Sequence, residues 1–142
     1  MPRRLVKFLG LPWREQLLMT EAAFALLAVN LALRVGGVRA CNTLIGPDRP
    51  RPDKPAPAEQ LARVGQAVRR AAAPLRLHCL PQSIAVMWLL RRRGVAAELR
   101  FGAKLEAGEL DAHAWVVASE SNWVFDVCPA GGYAPLHNGS PR

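Results

Sequence analysis

A cysteine stands at the predicted start of an apolar helix in the segment LRLHCLPQSIAVMWLLRRRG, residues 75–94. A thiol at a helix N-terminus lies in the positive end of the helix dipole, which favours the nucleophilic thiolate form. A histidine and a carboxylate follow later in the chain, in DAHAWVVA and in WVFDV. Nucleophile, base and orienting carboxylate are the groups that acyl transfer requires. We therefore predict Cys79, His113 and Asp126 as the catalytic residues.

Two segments of alternating apolar residues, 112–118 and 123–127, predict a hairpin that brings His113 and Asp126 together. With a two-residue loop at Ser119 and Glu120, His113 lies directly opposite Asp126. Opposed side chains of an antiparallel pair have Cβ atoms about 4.5–5.5 Å apart, so the carboxylate can accept the imidazole N–H. A shift of one residue would put the two side chains on opposite faces of the sheet.

Other interpretations of these residue types remain open. A single cysteine is often a small buried apolar residue, and a histidine on an apolar strand is often part of the core. Cys41 and Cys128 have no helix start beside them, so we expect both to be structural. A zinc site built from Cys79, Cys128, His78 or His113 lacks the short ligand spacing of structural zinc. We predict neither a metal nor a cofactor.

The elements that must position the candidate residues follow from hydrophobic periodicity. Helices are predicted at residues 12–34, 58–73 and 80–93, and antiparallel strands at 95–103, 112–118 and 123–127. The third helix is apolar on every side, which indicates a central position. Pro81 is tolerated in its first turn, and Gly94 ends it.

These elements predict an α+β fold, in which a buried helix that starts at Cys79 packs on a small antiparallel sheet. Five prolines in GPDRPRPDKPAP predict a loop over residues 46–57. The length favours a single domain of residues 1–142, with an N-terminal helical region at 1–45 and a helix plus catalytic core at 58–142.

Composition and charge narrow the class of protein. The chain is 51% hydrophobic and 21% charged, with a formal net charge of +8. Residues 1–104 hold 18 Lys and Arg against 6 Asp and Glu, which is typical either of a protein with an anionic partner or of a solvated basic face without one, and no nucleic-acid-binding motif is present. The longest apolar stretch, 22–35, is interrupted by Asn30 and Arg34 and is shorter than the roughly 20 residues of a membrane span. Three cysteines in no disulfide pattern indicate a cytoplasmic protein.

The segments HCLPQSIAVMWLLRRRG, LRFGA and DAHAWV occur in an order that resembles the transglutaminase-like cysteine peptidases of lasso-peptide gene clusters. These are the stand-alone peptidase half of a B protein that is otherwise fused, and their core is transglutaminase-like or papain-like. The resemblance is close over residues 75–127. It implies that Cys79 is the nucleophile, His113 the general base and acid, and Asp126 the orienting carboxylate.

The same resemblance implies a function and partners. Such enzymes remove the leader from a ribosomally made precursor peptide, and a lasso cyclase then uses the exposed amine. A separate leader-recognition protein captures the leader, and the apolar N-terminal helix and the basic surface are candidates for docking it. Two other functions remain open at this point: a transglutaminase-like acyltransferase, and a non-catalytic membrane-surface or scaffold protein.

Overall fold

The computed structural model describes residues 2–46, 56–118, 123–126 and 134–135. Four helices precede a four-stranded sheet. The helices are α1 (Pro2–Leu9), α2 (Trp13–Ile45), α3 (Ala58–Ala72) and α4 (Cys79–Arg92), with a short 3₁₀ turn at Ala73–Leu75 after α3. The strands are β1 (Glu98–Glu106), β2 (Glu109–Ala118), β3 (Trp123–Phe125) and β4 (Ala134–Pro135). This is the predicted α+β arrangement, with α1 and β4 as elements that the sequence patterns did not indicate.

Helix α2 is longer than predicted, because the chain turns sharply and becomes helical again. Gly37 has φ 65° and ψ −154°, a conformation that glycine adopts without steric cost. Beyond it the chain folds back, so that the Sγ atom of Cys41 lies 3.8 Å from the backbone oxygen of Val29. In a straight helix, twelve residues would separate these groups by about 18 Å. The predicted helix over residues 12–34 therefore corresponds to the part of α2 before this kink.

One hydrophobic core joins the helices to the sheet. Helix α2 packs against α3 and α4, and α4 packs in turn against β2 and β1. Helix α4 is buried along most of its length, as its uniformly apolar sequence predicted. Its C-terminal end is held by Arg93, whose Nη2 atom donates to Glu21 of α2 at 2.7 Å. The helix that begins at Cys79 is thus fixed between α2 on one side and the sheet on the other.

Strand β1 begins three residues later than predicted. The N–H of Val95 donates to the carbonyl of Leu90 at 3.0 Å, and Gly94 has φ 75°, so this segment closes the end of α4. Strand β1 then continues to Glu106 and turns tightly into β2 at Ala107 and Gly108, with φ 52° and 81°. Positive φ at both central residues is typical of a two-residue hairpin turn.

The sheet is antiparallel, in the order β3-β2-β1-β4. The predicted register of β2 and β3 is wrong by two residues: the structure pairs Val116 with Phe125 and Ala118 with Trp123. Residues 119–122 thus separate the paired positions, in place of a two-residue loop. The sequence there, SESN, has no glycine at either central position of the predicted turn, which such turns favour. The Pro-rich segment lies largely outside the described residues.

Candidate active site

The structure brings His113 and Asp126 into direct contact. The Nε2 atom of His113 and the Oδ1 atom of Asp126 form a hydrogen bond. Their side chains are 4% and 25% exposed, so the pair is largely shielded from water. A carboxylate oxygen accepts hydrogen bonds, so Nε2 is the donor of this pair and Nδ1 is the second nitrogen of the ring.

The contact between His113 and Asp126 is present although the predicted register of β2 and β3 was wrong. Extending the ladder by one pair puts Trp115, rather than His113, opposite Asp126. Side chains alternate along a strand with a period of two, so a shift of two residues keeps His113 and Asp126 on the same face. The two residues then meet diagonally. The sequence therefore predicted the contact correctly from an incorrect register.

The imidazole of His113 packs against an aromatic ring on its face of β2. His113 and Trp115 share this face and their rings stack, with centroids 5.9 Å apart. Gly102 of β1 lies opposite His113, so β1 presents no side chain beside the ring there. The alternate residues Val116 and Ala118 face the hydrophobic core. His113 is therefore buried outside the main apolar core, against an aromatic neighbour that restricts the orientation of its ring.

Cys79 is the first residue of α4. His78 precedes it in an extended conformation and makes no capping hydrogen bond with its side chain. The first N–H groups of a helix have no partner within the helix and carry its positive end. The thiol of Cys79 is free and partly exposed. A partly exposed sulfur beside uncapped N–H groups can be reached by a substrate.

A buried hydrogen bond ties the beginning of α4 to β2. The hydroxyl of Ser83 donates to the carbonyl of Ala114 at 3.1 Å, and Ser83 is completely buried. Ser83 follows Cys79 by four residues, so the two lie on one side of α4 about 6 Å apart along the helix. Ala114 directly follows His113. Ser83, one helical turn after Cys79, thus bonds to β2 at the residue that follows the histidine, in the part of β2 with which β3 no longer pairs.

The side chain of Gln82 fixes the backbone just before Cys79. The amide of Gln82 is buried and its Nε2 atom donates to the carbonyl of Leu77 at 2.8 Å. This bond links the first turn of α4 to a residue two positions before Cys79. The sequence analysis missed this bond, because glutamine is usually exposed. The available signal was the presence of two polar residues, Gln82 and Ser83, in a segment predicted to be buried on every side.

Arg69 of α3 supports the other end of the site. Its Nη2 atom donates to the backbone oxygen of Asp126 at 2.6 Å, and its guanidinium carbon lies 5.0 Å from the centre of the Phe125 ring. One contact is thus with the last residue of the short edge strand β3, Phe125, and the other is with the residue that follows it. The sequence analysis missed Arg69, because 57 residues separate it from Asp126 and no local pattern links them.

Of the two cysteines predicted to be structural, the structure describes Cys41 alone. Cys41 is buried in the core, and burial raises the pKa of its thiol from the usual 9.0. Cys128 lies outside the described residues. Within the described ranges, no three His, Cys, Asp or Glu side chains are grouped so that they could hold a metal ion.

Comparison with known families agrees with this arrangement of helix and sheet. Residues 25–138 match the model of the transglutaminase-like superfamily, and this match contains Cys79, His113 and Asp126. No curated protein and no solved structure matches the chain. The superfamily includes cysteine peptidases and acyltransferases. Because the match covers well over half of its length, the chain belongs to the transglutaminase-like superfamily.

Proposed function

We propose that this protein is a cysteine peptidase that removes the leader from a ribosomally made lasso-peptide precursor. The observation that carries the proposal is the contact between His113 and Asp126, on a sheet against which the helix that begins at Cys79 packs. Membership of the superfamily supports acyl-transfer chemistry in general. The resemblance over residues 75–127 supports the choice of a leader peptide as substrate.

The reaction begins at the thiol of Cys79. Nδ1 of His113 takes the thiol proton, and the sulfur forms a bond to the carbonyl carbon at the junction of leader and core. As the tetrahedral intermediate collapses, the C–N bond breaks and His113 gives the proton to the departing core amine. Water then attacks the thioester, His113 accepts its proton, and the leader leaves as a carboxylate while the thiol is restored. Asp126 holds the ring in the tautomer with its proton on Nε2 throughout.

The start of α4 supplies stabilisation for the oxyanion. The backbone N–H groups of Cys79 and Leu80 are in the first turn, whereas Pro81 has none to offer. N–H groups that point at developing negative charge are typically the largest single contribution to such catalysis. Gln82 is already bonded to Leu77, so we assign its amide to positioning and not to the oxyanion.

The precursor reaches this site with help from a separate protein. We propose that a leader-recognition protein captures the leader by adding it as a strand to a sheet edge, and that it docks on the basic surface of the peptidase. Exposed arginines on α3 and after it, among them Arg63 and Arg76, provide such a surface. The cyclase then uses the new amine. We place these steps in the cytoplasm, where a reducing environment keeps the thiol of Cys79 free.

Mass spectrometry of the precursor in ¹⁸O-labelled water tests the proposal. Enzyme, recognition protein and precursor should give a core peptide and a leader fragment that carries one heavy oxygen in its new carboxylate. A cross-linked product without leader loss would identify an acyltransferase, and an unchanged precursor would identify a non-catalytic protein. Either result would overturn the peptidase proposal. Omission of the recognition protein should slow cleavage strongly.

Substitutions distinguish the proposed nucleophile from the structural thiol. Cys79→Ala should abolish leader removal and leave the thermal unfolding transition in place, because the thiol is partly exposed. Cys41→Ala is the matched control, since it removes a buried thiol that contacts the backbone oxygen of Val29 in the core. It should lower stability and keep the activity of the folded enzyme. Activity in the Cys79 variant would show that the wrong sulfur was assigned.

A further inference from the structure

The solvent-facing side of α2 carries a continuous apolar stripe. Its large side chains are between 52% and 79% exposed. They recur at intervals of three, four or seven residues, so they share one side of the helix. We call this set the outer stripe: Trp13, Leu17, Phe24, Leu27, Leu31 and Val35. It ends before the kink at Gly37 and is about 33 Å long at 1.5 Å per residue.

The opposite side of α2 belongs to the protein core. Ala22, Leu26 and Val29 are completely buried where α2 packs on α3 and α4. By length and composition alone α2 could cross a membrane, but core helices of soluble proteins and signal sequences meet the same criteria. Crossing would remove these residues and the Glu21–Arg93 ion pair from the fold. The exposed stripe is therefore suited to lying on an apolar surface and not to spanning one.

The exposed charges that the structure describes in residues 2–46 are of one sign. Residues 1–46 contain two acidic side chains, Glu15 and Glu21, and both are half-buried. Every charged side chain that the structure describes as exposed in this region is basic: Arg3, Lys7, Arg14, Arg34 and Arg39. A second copy of the chain would bring like charges together across a shared stripe. An anionic surface complements both the cations and the apolar side chains.

We propose that α1 and the outer stripe of α2 bind an anionic lipid surface. The stripe enters the boundary between headgroups and acyl chains, and the basic side chains lie at the lipid phosphates. Trp13, at one end of the stripe, is of the residue type enriched at that boundary. Helix α4 and the sheet are on the other side of α2, so Cys79 stays accessible to a peptide. The basic surface of α3 remains available for the recognition protein. The proposed lipid binding does not depend on the peptidase chemistry.

Flotation with lipid vesicles tests the inference on the full chain. The protein should float with vesicles of phosphatidylcholine plus phosphatidylglycerol, bind vesicles of phosphatidylcholine alone far less, and lose binding as salt is raised. The double substitution Phe24→Ser and Leu31→Ser should lower the partition coefficient at least about tenfold, since it removes two large apolar side chains from the lipid contact. Leader removal from dissolved precursor should be unchanged.

A matched control uses two apolar side chains outside the stripe. Leu105 and Leu110 form a cross-strand pair at the end of the β1–β2 hairpin and are 74% and 73% exposed. Their replacement by serine should leave vesicle binding unchanged. Equal binding to both vesicle types, or equal loss in both double variants, would overturn the inference. A dimer, or a complex with the recognition protein, would also overturn the inference if the Phe24→Ser and Leu31→Ser substitutions abolished it.

Discussion

Arg69→Met is expected to slow the proposed reaction without unfolding the protein. The substitution keeps much of the apolar length of the side chain and removes two interactions at the end of β3. One is the charged hydrogen bond to the backbone oxygen of Asp126 at 2.6 Å, and the other is the contact with the Phe125 ring. Strand β3 has only three residues and lies at the sheet edge, and Asp126 directly follows its last residue.

The size of the effect follows from these two contacts. A hydrogen bond from a charged donor contributes about 1.5–3 kcal/mol, and the low end applies because Arg69 is exposed. A cation–π contact at an exposed site adds about 0.5–1 kcal/mol. The sum of about 2 kcal/mol would correspond to a rate loss of about 30-fold if all of it were expressed in the transition state. We expect a decrease in kcat between about threefold and 30-fold, with little change in KM.

The assay measures initial rates of leader removal over a range of precursor concentration and pH. Arg70→Met is the control, because it removes the same charge from the next residue, which is also exposed. Arg69→Lys should restore part of the rate, since a lysine can still donate to the carbonyl of Asp126. Circular dichroism should show that the variants remain folded. Equal losses in the Arg69 and Arg70 variants, or no loss in either, would refute a positioning role for Arg69.

Three further predictions concern stability and are checked by thermal or urea unfolding. Gly65→Ala should destabilise the fold by about 1 kcal/mol: a Cβ there would lie 3.0 Å from the Phe125 ring, and the packing cost of about 1–3 kcal/mol exceeds the roughly 1 kcal/mol gained in helix propensity. Ser83→Ala should cost about 1–3 kcal/mol, because the buried carbonyl of Ala114 loses its bond. The raised pKa of Cys41 means that the unfolded thiol ionises first, so stability should fall as pH rises above 9.0, and Cys41→Ala should lessen this fall.

Each of these predictions has a result that would contradict it. A more stable Gly65→Ala variant would mean that the aromatic rings of β3 move away at little cost. Thr43→Ala is the control for Ser83, since Thr43 is exposed and bonds a carbonyl of its own helix, and equal losses in the two variants would argue against the burial term. An alkaline loss of stability that is unchanged by Cys41→Ala would assign that loss to another group.

Local patterns were sufficient for the helices around the site. The uniformly apolar segment after Cys79 predicted a buried helix, and Ala58–Ala72 was predicted to within a residue. The predicted boundaries of helices and strands were wrong where the chain deviates from regular periodicity. Val95 has the apolar side chain of a strand residue, but its N–H closes the end of α4. At Gly37 the backbone kinks and the helix resumes, which no periodic pattern anticipates.

The sequence by itself indicated that a helix starts at Cys79 and that His113 and Asp126 share one face of the sheet. Cys79 at a helix start is a local property, and the side-chain alternation that places His113 and Asp126 on one face has a period of two, so it tolerated an error of two residues in the register. Only the tertiary structure decided that Ser83 joins α4 to Ala114 and that Arg69 reaches Asp126. Those contacts join residues 31 and 57 positions apart. Their geometry depends on how helices and sheet pack, and neither spacing nor propensity encodes it.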